Sequence, residues 1–473
     1  MVFILIQQHL GAWVLNLLMK GIVKVEEAIV LHYVIIGGVA AGMSAAMEII
    51  RTDKEAEVTV LERGEDYSYG QCGLPYVING VIPSLDDVVA RSVETFREKY
   101  NIDAKINTTV TSIDVEKQII NGTDTKTNEG FQINYDRLLI ASGSDPVVPD
   151  WEGMDLEGIH TLKTLTDTEG IMNDLNDDIK HVTIVGGGYI GLEAAESFRS
   201  LGKEVTLIQR GDQIATIFDP DMAEIIQEEA RKNGVHLVLG ESVQKFAGDQ
   251  RVDTVITDKQ SHETDFVLLG IGVQPNTEFL KETGIHMNKQ GAIHVNTYME
   301  TNLKNIYAAG DCATQFHIVK QLDDHIPLGT TSNKQGRIAG ANMAGNPVTF
   351  KGIVGTSVIK FFDLTLGRTG ITEKEAEKLN LPYKVQTRKA NSHAGYYPGG
   401  ETLHIKLLYH KKTNELLGGQ IIGKEGVDKR IDVLATALFN KMTIQQLVDL
   451  DLAYAPPYNG VWDPIQQMAR KTY

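Results

Sequence analysis

The sequence predicts an α/β chain made of two doubly wound, parallel-sheet units and a third, mixed α+β segment. Two observations carry this. A pattern of apolar run, glycine turn, alanine-rich helix and second β-branched run occurs twice. It spans Tyr33-Val-Ile-Ile-Gly-Gly-Val-Ala-Ala-Gly-Met-Ser-Ala-Ala with Val58-Thr-Val-Leu-Glu62, and Val182-Thr-Ile-Val-Gly-Gly-Gly-Tyr-Ile-Gly-Leu-Glu-Ala-Ala with Val205-Thr-Leu-Ile-Gln209. A chain of 473 residues is also too long for one ordinary core, and at ~150 residues per domain it divides into about three.

In the first copy the glycine turn, Gly37-Gly-Val-Ala-Ala-Gly42, stands between strand and helix. Such a turn lets backbone approach a pyrophosphate and aims a helix N-terminus at it, which makes the unit a Rossmann-like dinucleotide-binding domain. Val39 replaces the usual middle glycine, and Glu62 at the end of the second strand restores the pattern, because a carboxylate there accepts from an adenosine ribose. The second copy has the full spacing, Gly186, Gly188 and Gly191. Its strand ends on Gln209-Arg210, where a neutral residue followed by arginine accommodates a 2′-phosphate, so NADPH is expected there and NADH remains possible.

The rest of the chain follows in order. Residues 107–131 alternate polar and β-branched, as an antiparallel excursion does, and 135–144 lead back into a buried strand. Residues 146–151 read as a linker. Asn305-Ile-Tyr-Ala-Ala-Gly-Asp reads as another buried strand. Beyond residue 350 strands at 403–409 and 416–422 and a helix at 428–439 are expected, with no nucleotide signature.

Charge and cysteine usage exclude several classes. A net charge of −17, from 45 basic and 62 acidic residues, repels phosphate backbones, so nucleic acid is not an expected partner. Cys72 and Cys312 alone cannot build a disulfide framework or a CxxC dithiol, which points to a reducing, cytoplasmic setting. No metal site is expected. Residues 1–30 are largely apolar but lack a basic leader and are interrupted by Gln7, Gln8, His9 and Asn16. They read as neither signal peptide nor membrane span, but as an extension or the product of an upstream start.

Cys72 lies in a polar, glycine-rich segment before Gly73 and Pro75, unlike a core cysteine, and reads as redox-active; Cys312, inside an apolar strand motif, reads as structural. With no second cysteine nearby, Cys72 must take its partner from a small molecule, as a mixed disulfide or a sulfenic acid. Either route calls for a lowered thiol pKa.

The paired turns, Thr301-Asn-Leu-Lys-Asn-Ile-Tyr-Ala-Ala-Gly-Asp-Cys-Ala313 and Gly272-Val-Gln-Pro-Asn276 together resemble the FAD-dependent pyridine nucleotide–disulfide oxidoreductases. Ser68-Tyr-Gly-Gln-Cys-Gly-Leu-Pro-Tyr76 resembles their single-cysteine branch of coenzyme A-disulfide reductases, NADH oxidases and NADH peroxidases. Tyr454-Ala-Pro-Pro-Tyr458 and His393-Ala-Gly-Tyr-Tyr-Pro398 resemble the coenzyme A-disulfide reductases in particular.

The resemblance implies an FAD domain at 31–150 and 280–349, an NAD(P) domain at 151–279 and a dimerisation domain at 350–473. It implies FAD contacts from Gly37, Gly38, Gly42, Glu62, Arg63, Val110, Ala141, Gly143, Asp311 and Thr330. For NAD(P)H it implies Gly186, Gly188, Gly191, Gln209, Arg210 and Gly272. A helix starting near Thr330, capped by Ser332 and Gln335, would point at the flavin. The resemblance further implies a homodimer in which Tyr396 and Tyr454 reach the other subunit's thiol as general acids, with Tyr397 and Tyr458 as rivals. Coenzyme A would be held by Arg51, Ser68, Gln71 and Arg91. The expected reaction is NAD(P)H-driven reduction of coenzyme A disulfide through a Cys72–S–S–CoA mixed disulfide. Polysulfide or persulfide reduction, oxidase or peroxidase activity, and a non-enzymatic redox sensor stand as alternatives. Ala40 lies where the oxidases and peroxidases carry a histidine, which weighs against them.

Overall fold

The computed structural model describes residues 30–472, so the reading of the N-terminal extension lies outside the described residues save for Val30. Strands β1 (His32–Ile36), β2 (Glu57–Leu61), β3 (Asp103–Lys105) and β4 (Arg137–Ile140) begin the first sheet. The runs of β1, β2 and β4 are almost wholly buried, as parallel strands covered on both faces must be, while β3 at the sheet edge buries only Ala104. Helix α1 (Ala40–Thr52) leaves the β1 turn, and the short α2 (Leu74–Ile78) follows Cys72. A three-stranded antiparallel meander of Thr108–Asp114, Ile119–Asp124 and Gly130–Asn134 forms the excursion.

The second sheet comprises β5 (Ile159–Thr161), β6 (His181–Val185), β7 (Glu204–Gln209), β8 (Val235–Leu239) and β9 (Phe266–Leu269), in spatial order β8-β7-β6-β9-β5. Helix α3 (Tyr189–Ser200) follows β6, and α4 (Pro220–Lys232) precedes β8. The chain then returns: β10 (Ile306–Ala308) pairs with β4, giving the first sheet the order β10-β4-β1-β2-β3.

Helix α5 (Gly329–Met343) packs directly on α1. A methyl on Gly336 would lie 2.1 Å from the Ala41 carbonyl oxygen, and one on Gly340 2.5 Å from that of Ala45. Small residues therefore let the two backbones touch. The α5 boundary corrects one expectation. The helix begins at Gly329 with Leu328 as its cap, so Ser332 and Gln335 form no capping box. Both lie inside the helix and bond elsewhere: Ser332 Oγ donates to Asp311, while Gln335 accepts from the Gly310 amide and donates to the Thr314 carbonyl.

The last segment is one antiparallel sheet, β11 (Ser357–Phe361), β12 (Leu364–Gly370), β13 (Tyr383–Asn391), β14 (Thr402–His410) and β15 (Leu416–Gly423), in the order β11-β12-β15-β14-β13 and covered by α6 (Val427–Phe439). Among the described residues no helix is long and apolar enough to cross a membrane.

Candidate functional site

Both glycine turns are built alike. Gly37 has φ +109°, and a methyl there would lie 2.2 Å from the Ala141 carbonyl oxygen at the end of β4. Gly186 has φ +108°, with the Gly270 carbonyl 2.4 Å from the same point. No side chain larger than hydrogen fits either place. Gly42 and Gly191 in turn accept the close approach of the Gly37 and Gly186 carbonyls. Glu62 Oε2 accepts from the Gly38 amide at 2.7 Å, and Gln209 Oε1 accepts from the Gly187 amide at 3.0 Å. The two strand-end residues thus stand in equivalent positions, one charged and one neutral. Neither α1 nor α3 has a side-chain cap or an acid in its first turn. Their leading amides face no protein acceptor from those sources, and space is open beside Gly188.

The other residues implied for FAD fall around the first turn. Val110 is buried at a bulge in the meander, and Gly143 has φ +69° with open space beside it. Arg63 is committed elsewhere, its guanidinium donating twice to Asp145. Thr330 is exposed in the first turn of α5. Gly272 (φ +119°) accepts from the Val147 amide, and Asn276 is laced to Ser142 by two hydrogen bonds.

Asp311 is the hub between the two nucleotide units. It accepts from Lys163 Nζ at 3.0 Å, Ser144 Oγ at 3.1 Å and Ser332 Oγ at 3.0 Å. Burial alone would raise its pKa, but the Lys163 charge and these donors outweigh burial and hold the carboxyl below its ordinary range. Lys163 follows β5 in the second unit, so the ion pair joins the units across their interface.

Cys72 occupies a single turn of 3₁₀ helix, Gln71–Gly73, and is exposed, while Cys312 is fully buried. Gln71 precedes the thiol directly. Ser68 is held at φ +47° by backbone bonds to Gly38 and Ala90, which fixes the segment against the first glycine turn. Helix α2 carries Pro75 in its first turn, and its Leu74, Val77 and Ile78 enter the same core as Leu165, Ile171 and Phe198 of the second unit. The expected lowering of the thiol pKa is not supplied by the chain. Desolvation by the surrounding protein raises it, Glu193 and Asp311 add to that, and Lys163 opposes them. The carboxyl of Glu193, on α3, is itself pushed up to about 7 by burial and by Glu196.

Tyr396 and Tyr454 share a hydroxyl–hydroxyl hydrogen bond of 2.6 Å, and both are exposed. Tyr397 instead lies edge-on to His393, and among the described residues Tyr458 makes no side-chain hydrogen bond, so the geometry pairs the first two tyrosines. Arg430 ties their loops together: its buried guanidinium donates to Asp463, Asn459 and the Ser392 carbonyl. Of the residues implied for coenzyme A, Arg51 pairs with Glu48 at the exposed end of α1, and Arg91 stands over the Tyr100 ring. No bond links either arginine to the Cys72 turn among the described residues.

Residues 31–342 match the pyridine nucleotide-disulphide oxidoreductase family, and 356–464 match its dimerisation domain. The chain belongs to this family. It is 39% identical over 95% of its length to a CoA-dependent NAD(P)H sulfur oxidoreductase of Pyrococcus abyssi, of which it covers 99%. It is 34% identical over 93% of its length to a coenzyme A disulfide reductase of Staphylococcus aureus, again covering 99%. Reduced CoADR-RHD of Bacillus anthracis superposes with a TM-score of 0.91 at 36% identity, over 93% of this chain and 80% of that one. The protein is an NAD(P)H-dependent flavin oxidoreductase of the group holding these enzymes and NADH oxidases.

The oxidoreductase's turns fit the two nucleotides of its family. Each presents uncapped helix amides for a pyrophosphate beside glycines that admit no Cβ, and Glu62 keeps acceptor capacity for a ribose. The sequence reading missed Lys163, Glu193 and Arg430. Glu193 alone had a signal, being an acid on the second turn's helix, where a phosphate-facing surface would not carry one. Lys163 gains meaning only because folding brings it to Asp311, 148 positions away.

Proposed function

We propose that the enzyme reduces coenzyme A disulfide with NADPH, through a mixed disulfide on Cys72. FAD, bound at the first turn, would relay an electron pair from the nicotinamide to the sulfur. The chain's own groups do the rest. The Cys72 thiolate attacks one sulfur of the disulfide, forming Cys72–S–S–CoA and releasing one coenzyme A thiolate. The electron pair and a proton then cleave the mixed disulfide, giving the second thiol and restoring the Cys72 thiolate. Glu193, raised to about 7 near the thiol, carries its proton in about half the molecules at neutral pH and is suited to pass it. Tyr396 and Tyr454 lie exposed and bonded to each other, as a pair serving the thiol of a second subunit would. The reading includes a cytoplasmic homodimer.

The observation that carries the proposal is the lone exposed thiol, Cys72, near Glu193, Lys163 and Asp311, with Cys312 buried away from solvent. The test is intact mass of the native protein before and after reductant, with peptide mapping. Loss of a coenzyme A-sized adduct from the Cys72 peptide, and absence of NADPH-dependent thiol release in Cys72→Ser, are expected. A reductant-stable mass together with full thiol release by Cys72→Ser would overturn it. The relatives named for sulfur or persulfide favour a second reading, in which a CoA persulfide is the oxidant at the same thiol. Sulfide release faster than coenzyme A disulfide turnover would select that reading.

A further inference from the structure

We infer that Lys259 is a second cation for the adenosine 2′-phosphate of NADPH, working with Arg210; it lies at the tip of the second unit's antiparallel meander, Val243–Gly248, Val252–Thr257 and Ser261–Glu263, in the turn between the last two strands. This rests on the NADPH reading and goes beyond it.

Internal repetition supplies the control. After the first ribose-side strand the chain reads Glu62-Arg63-Gly64-Glu65, and after the second Gln209-Arg210-Gly211-Asp212. A lysine from each meander turn approaches the fourth residue: Lys126 in the first unit, Lys259 in the second. In the first unit both cations are consumed. Arg63 is held by Asp145 and Lys126 by Glu65, beside a carboxylate, Glu62, suited to a free 2′-hydroxyl. In the second unit the carboxylate is replaced by Gln209. Among the described residues neither Arg210 nor Lys259 has an acidic partner within 4.0 Å. The same scaffold therefore presents two uncommitted positive charges at the place where a 2′-phosphate would sit, in a protein of net charge −17.

The lysine is also held in place from below. A methyl on Gly240 would lie 3.6 Å from Lys259 Nζ and 3.4 Å from Asp212 Oδ1, so the meander tip overhangs the end of β8, with Asp212 of the loop after β7 beside it. The Gly240 amide donates to the Gly211 carbonyl, and the Glu241 amide donates to that of Gln209. Glu241, buried, accepts from Thr257 Oγ1 at 2.8 Å and Gln260 Nε2 at 2.9 Å, and lies 3.1 Å from His262 Nε2. Ser242 and Asp258 exchange two further bonds. This network fixes the turn carrying Lys259, while its side chain stays exposed. Glu241 and Asp258 are engaged in that network, whereas Asp212 shares the space beside Gly240 with the lysine, and its charge opposes a phosphate, so its removal should favour one.

The test uses the FAD-loaded protein and calorimetric titration with adenosine 2′,5′-bisphosphate and 5′-AMP, which differ only in the 2′-phosphate. Lys259→Ala should weaken the bisphosphate about fivefold and leave 5′-AMP unchanged, with Arg210→Ala behaving alike and Lys259→Arg restoring binding. Asp212→Asn should tighten the bisphosphate alone. If Arg210→Ala lowers the preference and Lys259→Ala does not, the inference falls and the NADPH reading stands. If the unaltered protein binds both ligands equally, the NADPH reading falls and takes the inference with it.

Discussion

The charge on Glu193 helps set the reactivity of Cys72. The carboxyl, raised to about 7, becomes charged just as the pH enters the range where a thiol begins to ionise, and that charge pushes the thiol up. Glu193→Gln removes the repulsion. The pH profile of Cys72 alkylation should then move to lower pH, with faster labelling at pH 7; an unmoved profile would mean that desolvation alone sets the thiol. The same variant should slow the proton-dependent step of turnover, so reactivity and turnover should part company. At the other extreme of residue-scale effects, Gly42→Ala would place a methyl 1.8 Å from the Gly37 carbonyl oxygen. Nothing can shift there without opening the turn. A cost of about 1–3 kcal/mol is expected, together with loss of bound flavin colour on purification.

Elements meet through buried charge rather than apolar contact alone. Lys406, on β14, is 4% exposed and reaches Asp219 and Asp221 at the start of α4 in the second unit and Glu373 in its own domain. Burial would lower its pKa, yet the three carboxylates outweigh burial and keep the ammonium charged, which makes this acid cluster an ion-pair clamp. Asp219 beside it is raised by burial in spite of the lysine. Lys406→Met would strand Asp219, at 2% exposure, without its countercharge. A loss of roughly 3–5 kcal/mol is expected, read as an earlier chemical-denaturation midpoint. Arg430 plays the corresponding part for the tyrosine loops. Arg430→Met should speed amide hydrogen exchange across residues 392–400 and 453–463 and lower turnover, while flavin content stays unchanged. Neither clamp was legible in the sequence, because each is assembled from residues on different elements whose meeting depends on strand order. The glycine turns were legible because strand, turn and helix that build them are contiguous.

For the whole molecule, His317 sets a lower pH limit. It is fully buried, its Nε2 has no hydrogen-bond partner among the described residues, and burial followed by the Lys320 charge lowers its pKa from 6.5 to about 4. The sign follows from where the proton goes. Below 6.5 the unfolded chain takes up a proton that the native state refuses until about 4, so stability falls as pH drops through that window and then levels. His317→Gln should flatten the melting temperature against pH over the same interval; an equally steep curve would place the acid sensitivity elsewhere. The order of sheets was readable from repeated local patterns, whereas the charged seams between them were not, since charge at a seam looks in sequence like charge on a surface.

Helix α2 has one more consequence. Its apolar face is packed into the second unit while its leading turn is stitched to the first. Swinging the two nucleotide lobes apart would tear that helix from one of them, so opening carries the cost of exposing Leu74, Val77 and Ile78. The sulfur travels with that helix, so any motion that parted the lobes would displace Cys72 as well.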